Sequence, residues 1–188
     1  MYKLILLSTD QIKKLYTERM TMDFPANELK PLDMIFKLVS RGRYDCYGLV
    51  ENEEIIGYAF LNRLEGREDY LVDYLAIASD RRNHGLGAEL IELLAQKLVD
   101  ANSILVEVEN PEYATDDSDR KLKTGRVNFY MRNGFRDTNV RAVCFGVPFC
   151  IIAYGNGDVK SEEEIKELYK QHYKAMLPKE LFDKNVIV

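Results

Sequence analysis

Apolar and polar positions change rhythm several times along this chain, and each change predicts an element. Residues 2–7 (Tyr-Lys-Leu-Ile-Leu-Leu) read as a first strand. Ser8-Thr9-Asp10 then offers N-cap oxygens to a helix carrying Ile12, Leu15 and Tyr16. The X-Pro bond inside Met22-Asp-Phe-Pro-Ala-Asn-Glu28 breaks that helix. A second helix is predicted from Pro31 to Ser40, with Leu32, Ile35, Phe36 and Val39 inward and Arg41-Gly42 as its stop. Tyr44–Glu51 and Glu54–Leu64 alternate as two strands. Asn52-Glu53 joins them as a hairpin turn, though not with the favoured Asn-Gly pair.

The strongest pattern runs from Tyr70 to Leu98. An apolar run, Tyr70 to Ala78, has the look of a buried strand. A basic, glycine-containing turn follows (Arg81-Arg-Asn-His-Gly-Leu-Gly87). Beyond it Leu86, Leu90, Leu93, Leu94 and Leu98 share one helical stripe, away from Glu89, Glu92, Gln96 and Asp100. The first amides of such a helix lack intrahelical partners, and the macrodipole adds partial positive charge beside them. Gly85 and Gly87 carry no Cβ, so an anion can come close to the backbone. Strand, turn and helix together predict the pyrophosphate cradle of a nucleotide-like cofactor.

Further on, Ser103–Glu109 alternates like a strand with one wet face. The acidic stretch Pro111–Lys123 reads as a long loop, and 124–133 as a short helix stopped by Asn133-Gly134. Val140–Phe145 and Phe149–Tyr154 are two more strands, and Gly155-Asn-Gly-Asp158 ends the sheet. Ser161-Glu-Glu-Glu164 has capping-box spacing. It opens a last helix with Ile165, Leu168, Tyr169, His172, Tyr173 and Met176 on one face. That face either packs on the domain or makes a homodimer; the pattern allows both.

Composition narrows the classes. A chain of 188 residues suits one domain, 1–188, with a core at 44–154 and a C-terminal helix and tail at 160–188. A net charge of −5 gives no basic footprint for nucleic acid and weakly favours cationic ligands. Cys46, Cys144 and Cys150 have neither zinc spacing nor an even count. No apolar run approaches the ~20 residues of a membrane span, and no signal region opens the chain, so a cytoplasmic protein is expected. His84 and His172 have no ligand partners nearby in sequence, so no metal is expected.

Arg82-Asn83-His84-Gly85-Leu86-Gly87 resembles the (Arg/Gln)-x-x-Gly-x-(Gly/Ala) signature of the GNAT superfamily of acetyl-CoA-dependent N-acetyltransferases. Phe129-Tyr-Met-Arg-Asn-Gly-Phe135 is similar to that family's second block, FYxxxGF, and the resemblance spans roughly 44–154. It implies an α/β (α+β) domain with a mixed, mostly antiparallel sheet of about seven strands flanked by helices. A splayed, parallel central strand pair is part of that picture. The implied cofactor is acetyl-CoA. Backbone groups of Ala76, Ile77 and Ala78 would bond its pantetheine arm, and the turn Arg82, Asn83, His84, Gly85, Leu86, Gly87, Ala88 would hold its pyrophosphate. The implied activity is direct acetyl transfer to a primary amine, on a small molecule or a peptide.

Tyr130 matches the motif tyrosine that protonates the departing thiolate. Asp73, a carboxylate in an otherwise apolar strand, and Glu109 are the candidate bases and substrate contacts. Phe24 and Glu28, with Asp23 beside them, are further substrate candidates, because the early helices cover the acceptor side in the family. Arg126 departs from the pattern, standing where a small residue is usual. A dinucleotide-binding reading fails because Gly85-x-Gly87 continues Ala-Glu-Leu90, without the third glycine, and a P-loop fails for want of Gly-Lys-Ser/Thr. The remaining alternative is a catalytically weak or inactive acyl-CoA sensor of the same fold.

Overall fold

The computed structural model describes residues 1–26, 28–155 and 160–188. The chain groups into two compact units, 1–65 with 72–99, and 66–71 with 100–188. In the first, β1 (Lys3–Leu6) leads into α1 (Thr9–Leu15), where Ser8 and Gln11 form a reciprocal capping box. The helix does not stop at Leu15. A wider π-helical turn, Tyr16–Met20, carries it into the short α2 (Thr21–Asp23). Helix α3 (Leu32–Ser40) starts at Pro31 and buries Ile35 and Leu38; Leu32, Phe36 and Val39, expected inward with Ile35, are half-buried.

Strands β2 (Tyr44–Glu51) and β3 (Glu54–Arg63) form the expected hairpin. Asn52 and Glu53 both take positive φ, +48° and +69°, as the mirror-image turns that match strand twist require. The unit's strand order is β1-β2-β3-β4, with β1 and β2 antiparallel. Strand β4 (Asp69–Ile77) supplies residues to both units and is buried along most of its length. Gly57 on β3 makes room for it: a Cβ there would lie 2.6 Å from Ile77 Cδ1. Helix α4 (Leu86–Lys97) buries Leu86, Leu90, Ile91 and Leu94, each contributing roughly 2 kcal/mol by removal from water.

The second unit begins with the start of β4, which runs parallel to β5 (Ser103–Glu109). Beyond lie β7 (Val147–Tyr154), β6 (Arg136–Cys144) and the two-residue β8 (Val186–Ile187), in the order β5-β7-β6-β8 and all antiparallel. Among the described residues the two units together show eight strands, one more than the pattern predicts; β8 is too short to register as a periodicity. The expected acidic loop is mostly helix. After a 3-10 turn at Pro111–Tyr113, helix α5 runs from Asp117 to Arg132, and the Asp116 carboxylate accepts from Asp119 N to cap it. Its acidic first turn suits the positive end of the dipole. Helix α5 buries no residue, so it has no apolar stripe to read.

Helix α6 (Glu162–Met176) opens with the predicted capping box and buries all six predicted residues within its unit, against β6. Helix α7 (Lys179–Asn185) follows. Gly155 is described, but 156–159 of the expected sheet-ending turn lie outside the described residues. Among the described residues no helix is long and apolar enough to cross a membrane.

His172, on α6, is fully buried, and burial pushes its pKa down to about 3, with Asp69 and Arg67 opposing and reinforcing that shift respectively. The unfolded chain therefore binds a proton at this site, between about 6.5 and about 3, that the folded chain excludes. Relative to His172→Gln, the wild type should lose about 1.4 kcal/mol of stability per pH unit as pH falls through that window. Urea unfolding at successive pH values checks this; parallel curves for the two proteins would contradict it.

Candidate active site

The glycine turn is built as a helix start left open. Strand β4 ends at Ile77, a 3-10 turn covers Ser79–Arg81, and Arg82 is extended again. Asn83 (φ +66°) and Gly85 (φ +79°, ψ −4°) take left-handed backbone, which turns the chain into α4. No side chain caps that helix, and its first closing bonds run from the Ala88 and Glu89 amides to the Gly85 carbonyl. The amides of Leu86 and Gly87 thus precede the helical ladder. A Cβ built on Gly85 would meet nothing within 4 Å, so the space above the turn is open. Residues Arg82, Asn83, His84 and Gly85 are exposed.

Two of the backbone groups expected to meet the cofactor are engaged within the unit. The Ala78 amide donates to Ile56 O (2.9 Å), and the Ile77 carbonyl accepts from Arg82 Nε (3.1 Å). Arg82 also donates through Nη2 to Asp23 (2.7 Å), whose other oxygen accepts from the Tyr58 hydroxyl. Asp23, Arg82 and the end of β4 are therefore tied together. Arg19, from the π turn, lies 5.4 Å over the Tyr58 ring and donates to Ile55 O.

Asp73, Phe24 and Glu28 meet around Tyr74. The Phe24 ring stands edge-on to Tyr74 at 4.9 Å, and the Tyr74 hydroxyl donates to Glu28 O and accepts from the Lys30 amide. Asp73 is buried with both oxygens taken by Lys30 Nζ, at 2.7 and 2.8 Å, and one also accepts from the Tyr44 hydroxyl. The Lys30 ammonium sits 5.6 Å from the Tyr74 ring centre, within cation–π range. Burial first, then the Asp73 charge, push the Tyr44 phenol well above its usual range, so it stays a donor. Sequence reasoning missed Lys30 and Tyr44. The available signal was Asp73 itself, since a buried carboxylate demands a counter-charge.

Tyr130 and Glu109 belong to the second unit. Tyr130 packs against Phe129 and Phe135, with ring centres 5.1 and 5.2 Å away. Burial raises its pKa to about 12, and its hydroxyl has no hydrogen-bond partner among the described residues. Glu109, at the end of β5, pairs with Arg126 and, at 3.7 Å, with Lys123 of α5. Glu107, two residues earlier, accepts instead from the Tyr169 and Tyr173 hydroxyls of α6. Arg126, the departure from the motif pattern, is thus the partner of Glu109.

Residues 9–135 match the Acetyltransferase (GNAT) family. The chain belongs to this family. It is 31% identical over 162 residues to "Putative acetyltransferase YjbC" of Bacillus subtilis (strain 168), covering 83% of this chain and 78% of that protein. Among solved structures, a GNAT-family acetyltransferase from Bacteroides thetaiotaomicron superposes with a TM-score of 0.69 at 21% identity, over 94% of this chain and 99% of that one. A Bacillus subtilis acetyltransferase in complex with CoA gives 0.55 at 14%, over 82% and 97%. At those identities the structures speak for the fold, and membership makes the chain an N-acetyltransferase-family protein.

The Lys30–Asp73 pair is buried enough for its two halves to depend on one another. Asp73→Asn should destabilise the protein by about 3 kcal/mol, by leaving the Lys30 ammonium without its counter-charge. Equilibrium urea unfolding at neutral pH measures this, and a loss below about 1 kcal/mol would show that the ammonium simply turns to water.

Proposed function

We propose that this protein is an acetyl-CoA-dependent N-acetyltransferase acting on a primary amine by direct attack within a ternary complex. The observation that carries the reading is the uncapped α4 N-terminus behind a left-handed Gly85 with open space over it. Backbone amides of Leu86 and Gly87, with the dipole behind them, suit a diphosphate. The turn from Arg82 to Ala88 would hold that group. Arg82 could add a charge-assisted bond on leaving Asp23, since half-exposed ion pairs cost little to exchange. Ala76, Ile77 and Ala78 would line the pantetheine arm, with the strand-end groups not taken by Ile56 and Arg82.

When bound, acetyl-CoA supplies an activated acyl group. The chain's own residues then handle protons. Tyr130 gives its phenolic proton to the departing thiolate; a pKa of about 12 keeps the hydroxyl protonated at neutral pH, and no acceptor among the described residues competes for it. Asp73 takes the amine's proton, directly or through one water. It is favoured over Glu109 because its present partner is a primary ammonium, the same group as the substrate's. Glu109 holds a guanidinium as well, which pairs in a fork that a lone ammonium replaces poorly. Phe24 and Glu28 border the Tyr74 side of that carboxylate.

Two variants test separate halves of this reading. Gly85→Asp should abolish CoA binding in calorimetry, by strain at positive φ and by like charge against the diphosphate; tight binding by that variant would misplace the phosphate site. Tyr130→Phe should lower turnover by more than about tenfold while leaving the Kd for acetyl-CoA within about twofold. An unchanged rate removes Tyr130 from the mechanism. Binding of acetyl-CoA without turnover across polyamines, amino acids, aminoglycosides and peptides would instead favour the sensor.

A further inference from the structure

Lys30 is an unusual residue to find where it is. It lies in the irregular segment between α2 and α3, yet its ammonium is carried inward onto Asp73, the carboxylate in the middle of β4. Burying a lysine costs desolvation and the freedom of a long flexible stem, and buried ion pairs seldom repay both. Stability is therefore a weak reason for the pair. The constellation around Nζ is what a receptor for a primary ammonium would contain: two carboxylate oxygens, and an aromatic face at cation–π distance. Tyr44 fixes that carboxylate from another side, and Phe24 packs edge-on to Tyr74. The segment carrying Lys30 turns on Pro25, whose carbonyl accepts from the Glu28 and Leu29 amides at 3.0 and 3.1 Å, and it is tied to two tyrosines. Tyr74 accepts from its amide and donates to Glu28 O, and Tyr16 donates to its carbonyl at 3.1 Å.

Resting on the acetyltransferase reading, we propose that the Lys30 side chain is a built-in stand-in for the acceptor. It occupies the ammonium subsite formed by Asp73, Tyr44 and Tyr74, and the substrate displaces it. The acceptor class follows from the stand-in: a primary ammonium at the end of an unbranched aliphatic chain. Exchange of one such group for another conserves each polar contact at Asp73. It requires the withdrawal of the 28–30 segment from the Tyr74 and Tyr16 hydroxyls. Occupancy by Lys30 lowers the acceptor's apparent affinity by the fraction of time the subsite is closed. It also keeps a buried carboxylate paired while no amine is present.

The probe is n-butylammonium chloride, titrated by calorimetry into the wild type, Lys30→Ala and the Lys30→Ala/Asp73→Asn double variant, without acetyl-CoA. Lys30→Ala should bind it at least tenfold more tightly than the wild type, and the double variant should lose that gain. Tetramethylammonium, which has no N–H to donate, should show no such gain. With acetyl-CoA present, the KM for n-butylamine should fall at least tenfold in Lys30→Ala. Lys30→Met keeps the stem and serves the same comparison if the alanine variant does not fold: its stem still fills the space the Lys30 stem occupies, so n-butylammonium should bind no better than to wild type, while methylammonium should bind better. Equal butylammonium affinity in wild type and Lys30→Ala, a gain that survives Asp73→Asn, or no methylammonium gain in Lys30→Met would each overturn the proposal. Butylammonium binding as expected, with no turnover of any amine, would instead sink the acetyltransferase reading and leave the ammonium subsite standing.

Discussion

A carboxylate in the middle of a buried strand has to be answered by a cation or by donors, and Asp73 imposes that condition on the first unit. Its charge draws Lys30 in from a loop, orients the Tyr44 hydroxyl and, through Lys30, engages the face of Tyr74. Tyr74 in turn bonds the backbone at Glu28 and Lys30, so the loop after α2 takes its course from one aspartate. The aromatic rings near it, Phe24, Tyr58, Phe60 and Tyr74, meet edge to face. Apolar residues of similar volume at both positions 30 and 73 would pack as well and cost less than the ion pair, whereas changing Asp73 alone strands the Lys30 ammonium.

The second unit spends its buried charges differently. Asp69 is almost inaccessible and accepts from Ser103 and Arg67, with Lys160 nearby at 3.8 Å. Glu107 is answered by two tyrosines of α6. These groups hold elements together and leave nothing over. Tyr130 is the contrast: surrounded by rings, raised in pKa, and with its hydroxyl uncommitted among the described residues. The ring is half-buried on a helix that buries no residue, so the hydroxyl is committed to no element of the fold.

What could be read from the sequence follows from how local each determinant is. The glycine turn was legible because positive φ at position 85 is a local demand that glycine answers, and the leucine stripe after it is a single period. Helix α6 was legible for the same reason, with its capping box and six inward positions. Helix α5 was not, because it buries nothing and its acidic start, read as solvated loop, serves as cap and dipole partner. The Lys30–Asp73 pair joins residues 43 positions apart, and no spacing rule reaches that far. Sequence could say that Asp73 needed a partner; only the fold could say which.

Arg82 shows the same tension at the other end of β4. The motif arginine is half exposed and pairs with Asp23, itself only 10% exposed and also bonded to Tyr58. The bond is short, yet one partner stands in water, so its net worth is small and an anion at the helix start could outbid it. Asp23 would not be stranded by that exchange, because Tyr58 and the positive charge of Arg19 over the Tyr58 ring remain on its side. The glycine turn and the Lys30 loop thus meet the same strand, each through a charge pair, one half-exposed at Arg82–Asp23 and one buried at Lys30–Asp73.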